Sequence, residues 1–467
     1  MIILVFSCLY SFISVKKHFH FQTFGWDTAV FDQQIYLLAN FKAPYSSLVK
    51  MNGLGDHFQL VTLFLGAICY KLWENVNSLF VLQSFVACIS AFPLYLLSVE
   101  LLNKTKLSIN KITILSLIIS TSYLLSVPFQ SMLTDEFHNE PFILTPLIFM
   151  IYFLIKKKWF GYWLSFLLVI LNKEIFGLLG FPLGVYAYLK TRNIKQSLAT
   201  FIVGVGVSFL LIMYLMPRLS GANEYIHFSN NNNPSYLIDK FISKPRLMIT
   251  EMVNTDVKRK TIFSSFSSFG FLPILAPTEL IAPVFSLAIR FYDNTTPRLH
   301  AFNNHYAAPF LPLLAVGLSF GVYNLSIWLE RQKLLEKLWW VIGLYLFCFT
   351  LFQDYYFHGP LNSLFKPDFY KTSQRGIDAY QLIKQVPNNA TIATHNTLLP
   401  HLSQRENFYL LPEIGQSEYI AVDLSDGPNK FSPLSYEETL KLVDKLLQQK
   451  QYQVVWQKNQ SLLLKKL

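Results

Sequence analysis

Charge is what this 467-residue sequence has least of: Asp, Glu, Lys and Arg together make up 14% of it, against 52% hydrophobic residues. So few charged side chains cannot clothe a soluble protein of this length, and 42 phenylalanines exceed what a water-bounded core absorbs. Cysteine is equally scarce. The four that occur, Cys8, Cys69, Cys88 and Cys348, lie in apolar stretches without metal-ligand spacing, which reads as packed thiols and leaves the redox compartment open. There is no GxGxxG and no P-loop, so nucleotide binding has no motif to rest on. The excess of 39 basic over 28 acidic residues does not point to nucleic acid, because the lysines and arginines fall in short clusters between apolar runs, as topology signals do. What is present is a polytopic α-helical membrane protein, with the lipid bilayer as its first partner.

Along the chain, Met1 to Val15 is apolar and short, with neither a basic leader nor a small-residue cleavage site, and reads as a retained first span. Lys16 to Asp56 is polar and aromatic; within it, Val30 to Phe41 carries Phe31, Ile35 and Leu38 on one helical face, which suits a helix lying in the interface. His57 to Trp73 is apolar but too short for a hydrocarbon core that takes about 20 residues to cross. Spans are expected at Val76 to Leu102, on to Val127, and from Pro141 to Ile155. Others follow at Ser197 to Met216, up to Trp328, and at Leu338 to Phe352. Thr261 to Ile289, with Pro273, Pro277, Pro283 and Glu279, reads as a broken hairpin or re-entrant pair. The total is about eleven crossings at the usual span length.

Basic clusters at Lys104 to Lys111, Lys156 to Lys158, Lys190 to Lys195 and Glu330 to Lys337 share one face if His57 to Trp73 does not cross. That phase keeps the N-terminus inside and puts loops 16–75, 128–140, 217–260 and 290–306 outside; the third contains Asn230 to Asn233 and Pro234. Lys16 and Lys17 are the exception, tolerable because such side chains snorkel. The expected location is a bacterial plasma membrane, crossed several times. Residues 1–353 form the membrane domain. From Asp354 the composition becomes that of a small soluble α/β domain, 354–467, on the outer side. It has helices at Arg375 to Val386 and Ser435 to Gln448, the latter opened by a Ser435/Glu438 capping box. Strands are expected at Thr391 to Thr394 and Tyr419 to Val422, and a terminal hairpin at Val454 to Leu464.

Four outward places gather polar residues: Asp27 and Asp32; Asp56 and His57; Asp135 to Glu140; and Lys173 and Glu174 with His305 and Tyr306. Each has a plain explanation. Asp27 caps a helix beginning at Thr28 and Asp32 favours its first turn; Asp56 and Glu140 are further caps, and Lys173 and Glu174 form a salt-bridged turn. Their convergence on one membrane face argues otherwise, since acids beside lipid are costly unless paired, coordinated or turned to an aqueous cavity. Carboxylates, histidines and a lysine at one depth are what a phosphate-linked lipid requires: acids to hold a divalent cation or take a proton, and a cation for phosphate oxygens. If Asp135 to Glu140 is helical, Glu136 and Glu140 share a face.

Several motifs carry a resemblance: Gly25-Trp26-Asp27 with Phe31-Asp32-Gln33, Gly55-Asp56-His57, Asp135-Glu136-Phe137-His138, Asn172-Lys173-Glu174, His305-Tyr306-Ala307-Ala308-Pro309 and Leu402-Ser403-Gln404-Arg405. Together, from about Phe24 to Leu424, the sequence resembles a family of bacterial polytopic membrane proteins related to the GT-C glycosyltransferase superfamily. The resemblance implies a GT-C-like fold, a first-loop acid at Asp27 or Asp32, a second-loop acid at Asp135 or Glu136, and a polyprenyl-phosphate sugar as donor. It also implies a juxtamembrane helix at His57 to Trp73, which the charge parity requires independently. The first loop lacks the adjacent acidic pair of other GT-C branches, which leaves the base and the metal open. The expected activity is an inverting membrane glycosyltransferase. Asp27 is its base, with Asp32, Asp135 and Glu136 as the other catalytic candidates. His57, His138, Glu140, Lys173, Glu174, His305 and Tyr306 line the substrate cavity. The candidate ligands for a divalent cation, Mg or Mn, are Asp27, Asp135 and Glu136. The rival is a transporter or flippase of a polar lipid or glycan, which would favour charges inside spans and an inverted repeat.

Overall fold

In lipid a helix satisfies every backbone N–H and C=O within its own segment, and the apolar runs accordingly fold as helices. The structure, a computed structural model, describes residues 1–227, 239, 243–292, 297–424 and 432–467. The run from Asn230 to Pro234 lies outside the described residues. Among those described, five helices are long and apolar enough to cross a membrane: Ile2–Phe19, Val76–Leu102, Ile194–Ser220, Leu311–Arg331 and Leu335–Tyr356. A sixth results if Ile109–Leu125 and Val127–Thr134, bent by 47°, form one span. The expected eleven are not reached by this measure, because helices such as Leu144–Ile155 and Trp159–Ile170 have 12 residues each, roughly 18 Å of rise. Leu60–Leu72, at 13 residues, is likewise too short to cross upright. The proline-rich stretch is broken as its sequence indicates: helix Asp256–Ser267 gives way to two 3-10 turns opening at Leu272 and Pro277, and helix Ile281–Tyr292 follows.

Helix connectivity sorts the loops into two ends. Ion pairs join Lys111 to Glu336 and Lys156 to Glu100, and the Lys106 amide bonds Glu330 at 3.0 Å. Those turns therefore meet at one end of the bundle. From them the bent pair leads to Asp135, helix Leu144–Ile155 leads back to Glu140, helix Trp159–Ile170 leads on to Lys173, and helix Leu311–Arg331 leads back to His305. The four polar loops thus collect at the opposite end, above an apolar core that includes Tyr123, Phe129, Leu147, Phe166 and Leu314.

The first loop is a packed element rather than an interfacial float. After an extended Phe24, a π-helical turn over Gly25–Ala29 runs into helix Val30–Ala39, and Asp32, Gln33 and Gln34 are fully buried along with Ile35. Phe31 and Ile35 pack with Leu63, Tyr70 and Phe80 on one side. The opposite side is covered by the C-terminal unit. A two-stranded ribbon, β1 (Tyr45–Ser46) and β2 (Met51–Asn52), completes the loop.

The C-terminal unit is a five-stranded mixed sheet in the order β4-β3-β5-β7-β6, from β3 (Ile392–Thr394), β4 (Phe408–Leu410), β5 (Tyr419–Asp423), β6 (Tyr452–Lys458) and β7 (Ser461–Lys466). β3 runs parallel to β4 and β5, and β7 antiparallel to β5 and β6. Helices Gln374–Gln385 and Tyr436–Gln448 flank it, the second with the expected capping box: the Ser435 amide donates to Glu438 Oε2 at 2.7 Å and the Glu438 amide to Ser435 Oγ at 3.3 Å. Three-residue β4 carries too little pattern to be read from sequence.

This unit grips the first loop. The Gly25 amide donates to the backbone and side-chain oxygens of Asn396, and a Cβ at position 25 would lie 2.7 Å from Leu399, so glycine is required by close approach. Gln33 Nε2 donates to the Glu406 carbonyl at 2.9 Å, and Ser403 Oγ to Asp32 at 2.6 Å.

Candidate functional site

Asp135, at the end of the bent helix pair, opens the site. Residues 135–139 are not helical, so Glu136 and Glu140 do not share a face as a helix would make them. Buried Phe137 is drawn between Phe31 and Phe142, and this turns the flanking polar residues in different directions. Glu136 points back at the first loop, where its Oε2 receives the Phe24 amide (2.9 Å), the Thr28 amide (3.3 Å) and the Thr28 hydroxyl (2.8 Å). It is the N-cap that the 25–29 turn lacks from its own side chains, so the expected capping role belongs to Glu136 rather than Asp27. Burial and the nearby Asp27 charge push the Glu136 carboxyl up despite those donors.

Asp27, a quarter exposed, is instead faced by Arg298 at 3.5 Å, and the same guanidinium reaches Asp135 at 3.8 Å. Asp135 lies 3.4 Å from His305 Nδ1 and 3.8 Å from His138 Nε2. Burial would raise its carboxyl, but the two imidazoles hold it down at about 2. The rings of His138 and His305 stack at 3.4 Å between centroids. His305 Nε2 is 4.0 Å from Glu140, which is itself bonded to Lys173 Nζ at 2.5 Å. Asp27, Asp135, His138, Glu140, Lys173 and His305 are therefore one continuous constellation. Lys173 pairs with Glu140 rather than with neighbouring Glu174.

Glu174 serves a second cluster, taking the Phe58 amide at 3.0 Å and the Tyr225 hydroxyl at 2.5 Å, with His57 Nδ1 at 3.2 Å. Burial opposes its ionisation, but these partners and Lys173 hold it at about 2. The His57 ring stacks on His227 at 4.5 Å, and His227 Nε2 sits 3.1 Å from Asp56 Oδ1. Asp56 is thus engaged by His227 and does not cap the helix that begins at Leu60, where Gln59 holds the cap position.

Asp32 stands apart from both clusters, bonded to Ser403 of the C-terminal unit. Burial lifts its carboxyl to about 7. The trio of Asp27, Asp135 and Glu136 expected for a magnesium-type ion is not gathered: among the described residues, the carboxylate and imidazole groups close enough to share an ion are Asp135, His138 and His305, and Asp56, His57 and His227.

Two cavities border the constellation. One, of about 300 Å³, has Lys173, Glu140, Arg290 and Tyr306 at its polar end and an otherwise apolar wall that includes Phe176, Leu179, Ile289 and Pro309. The other, of about 290 Å³, is lined by Asp135, Ser131, Thr134, Asn303 and His358 with Phe302 and Phe357. Sequence reasoning missed Arg290, Arg298, His227 and Asn396, which sit in loops or at helix ends where such residues are ordinary. Lys17, the apparent exception to the charge parity, is not snorkelling but donates to the Thr134 and Asp135 carbonyls.

The fold is similar to that of ArnT from Cupriavidus metallidurans. The structure of ArnT from Cupriavidus metallidurans bound to undecaprenyl phosphate superposes with a TM-score of 0.53 at 10% identity over 99% of this chain and 97% of that one. The apo form of the same protein gives 0.50 at 12% identity, covering 95% and 93%. No curated protein matches the sequence. The family described as "Predicted membrane protein (DUF2079)" matches residues 17–463, nearly the whole length, and the chain belongs to that family.

Proposed function

We propose that this protein is an inverting membrane glycosyltransferase that takes a sugar from a polyprenyl-phosphate donor and passes it to an acceptor at the outer face of the membrane. The observation that carries the reading is the first cavity: a buried lysine at the head of an apolar chamber suits a phosphate on a lipid tail. Its support is the ArnT likeness, since one ArnT structure holds undecaprenyl phosphate. Lys173 Nζ spends one hydrogen bond on Glu140 and has others to offer phosphate oxygens. Burial works against its charge, but Glu140 and Glu174 keep it protonated.

In the reaction the acceptor hydroxyl attacks the anomeric carbon from the face opposite the phosphate. The new C–O bond forms as the bond to phosphate oxygen breaks, and the hydroxyl proton passes to Asp27. Lys173 stabilises the departing polyprenyl phosphate, and Asp135 with His305 orients the hydroxyls between the two cavities. A positioned base and a stabilised leaving group are sufficient for such a transfer. The C-terminal unit, bonded to Gly25 through Asn396, fixes the loop that carries Asp27.

The test is to incubate purified protein with a panel of polyprenyl-phosphate sugars and candidate acceptors, beside Asp27→Asn and Asp135→Asn. Glycosidic product from the wild type that collapses in both variants is expected. Product undiminished in both overturns the residue roles, and absence of product across the panel overturns the activity.

A further inference from the structure

A carboxylate and two imidazoles that meet inside the protein are costly to bury unless something joins them. His138 is 2% exposed, and its Nε2 has no hydrogen-bond partner among the described residues, although it faces Asp135 at 3.8 Å. One nitrogen or oxygen from each of Asp135, His138 and His305 lies within 4.8 Å of the others. Ligand atoms around a tetrahedral zinc ion stand about 3.3 Å apart, so binding draws the set together and turns the two stacked rings out of parallel.

We infer that Asp135, His138 and His305 bind a single divalent cation of the zinc class, with a fourth position left open toward the polar cavity. Two imidazoles with one carboxylate favour zinc or a neighbouring first-row ion over magnesium, which prefers an all-oxygen shell. His305 is already oriented for the task. With Nδ1 turned to Asp135 and the ion, its Nε2 faces Glu140 at 4.0 Å, and Glu140 is anchored by Lys173. A carboxylate behind a metal-bound histidine fixes the ring and raises its basicity. Arg298 does not pre-empt the site, because it approaches Asp135 only at 3.8 Å and lies nearer Asp27. An ion there would place a Lewis acid on the wall between the lipid-type cavity and the polar one, where a sugar hydroxyl or a phosphate oxygen could occupy the open position.

This inference deepens the transferase reading, yet its test needs no turnover. Full-length protein in detergent is dialysed against equimolar Zn²⁺, Mn²⁺ and Mg²⁺ and analysed by mass spectrometry for bound metal. About one zinc per chain is expected in the wild type. That zinc should be lost in His138→Gln and His305→Gln and retained in His57→Gln. Glu140→Gln should weaken zinc binding about 10- to 100-fold without abolishing it. In Co²⁺-loaded protein, visible absorption of a histidine-ligated ion should vanish in His305→Gln while gel filtration still shows a folded monodisperse species. Metal-free wild type, or metal lost in His57→Gln but kept in His305→Gln, overturns the site. Zinc bound by a protein that transfers no sugar would sink the transferase alone, and transfer by a metal-free protein would sink this site alone.

Discussion

Two clusters of histidines and carboxylates lie side by side, joined through the adjacent residues Lys173 and Glu174, and they differ in what their groups have left to offer. Around Glu174 the acid is saturated: it holds His57, the Phe58 amide and the Tyr225 hydroxyl, while Asp56 faces His227. Around Glu140, by contrast, one carboxylate oxygen and His138 Nε2 are unpartnered among the described residues, and two cavities open beside them. Satisfied buried networks rigidify a fold, and buried groups left unsatisfied demand an explanation in chemistry or a ligand. Similar residues thus read as a brace in one case and, in the proposed transferase, as the working centre in the other.

Substitutions sharpen that contrast. Asp27→Asn, on the working side, is expected to lower turnover about 10²- to 10⁴-fold, the range of a lost general base, with the melting temperature little changed. Product quantified by mass spectrometry from a single donor checks it. Lys173→Met should cost about 3–5 kcal/mol in stability, because Glu140 is left charged and buried without its partner. Adding Glu140→Gln should restore most of that loss in thermal unfolding, and failure to do so would show that the pair is not the source.

Asp32 offers a pH signature outside both clusters. Its folded-state carboxyl, lifted to about 7 by burial, binds a proton more tightly than in the unfolded chain. Its contribution is therefore fully present below the unfolded value near 4 and falls as pH rises toward 7, by at most about 1.4 kcal/mol per pH unit. Asp32→Asn should flatten stability against pH in that window and leave turnover intact, as denaturation in buffers from pH 4 to 8 would reveal. The smallest effect belongs to the brace: Tyr225→Phe should lose about 1–3 kcal/mol for one hydrogen bond to the charged Glu174 while activity stays within about twofold. A collapse of activity there would erase the distinction between the clusters.

Much of the constellation around Glu140 was legible in the sequence because acids and a lysine next to apolar spans are expensive to leave unpaired. Asp135, His138, Glu140, Lys173 and His305 follow from that reasoning alone. Glu136 does not, because its role depends on residues 135–139 being non-helical, which buried Phe137 decides through tertiary contacts. Arg298 and His227 were invisible for a different reason: they sit in loops where polar residues are the norm, and only the fold brings them to a carboxylate. The capping box at Ser435 and Glu438 was readable since it is written in four consecutive residues. The number of crossings was not, since hydropathy alone cannot say whether a 12-residue helix crosses or stops within the bundle.

The claim that matters most is that the Lys173 chamber receives a lipid phosphate. Native mass spectrometry of the protein equilibrated with undecaprenyl phosphate tests it directly, comparing the wild type, Tyr225→Phe and the stability-restored Lys173→Met/Glu140→Gln pair. Retention by the first two and at least a tenfold loss in the third is the result this account predicts; equal retention by all three would contradict it.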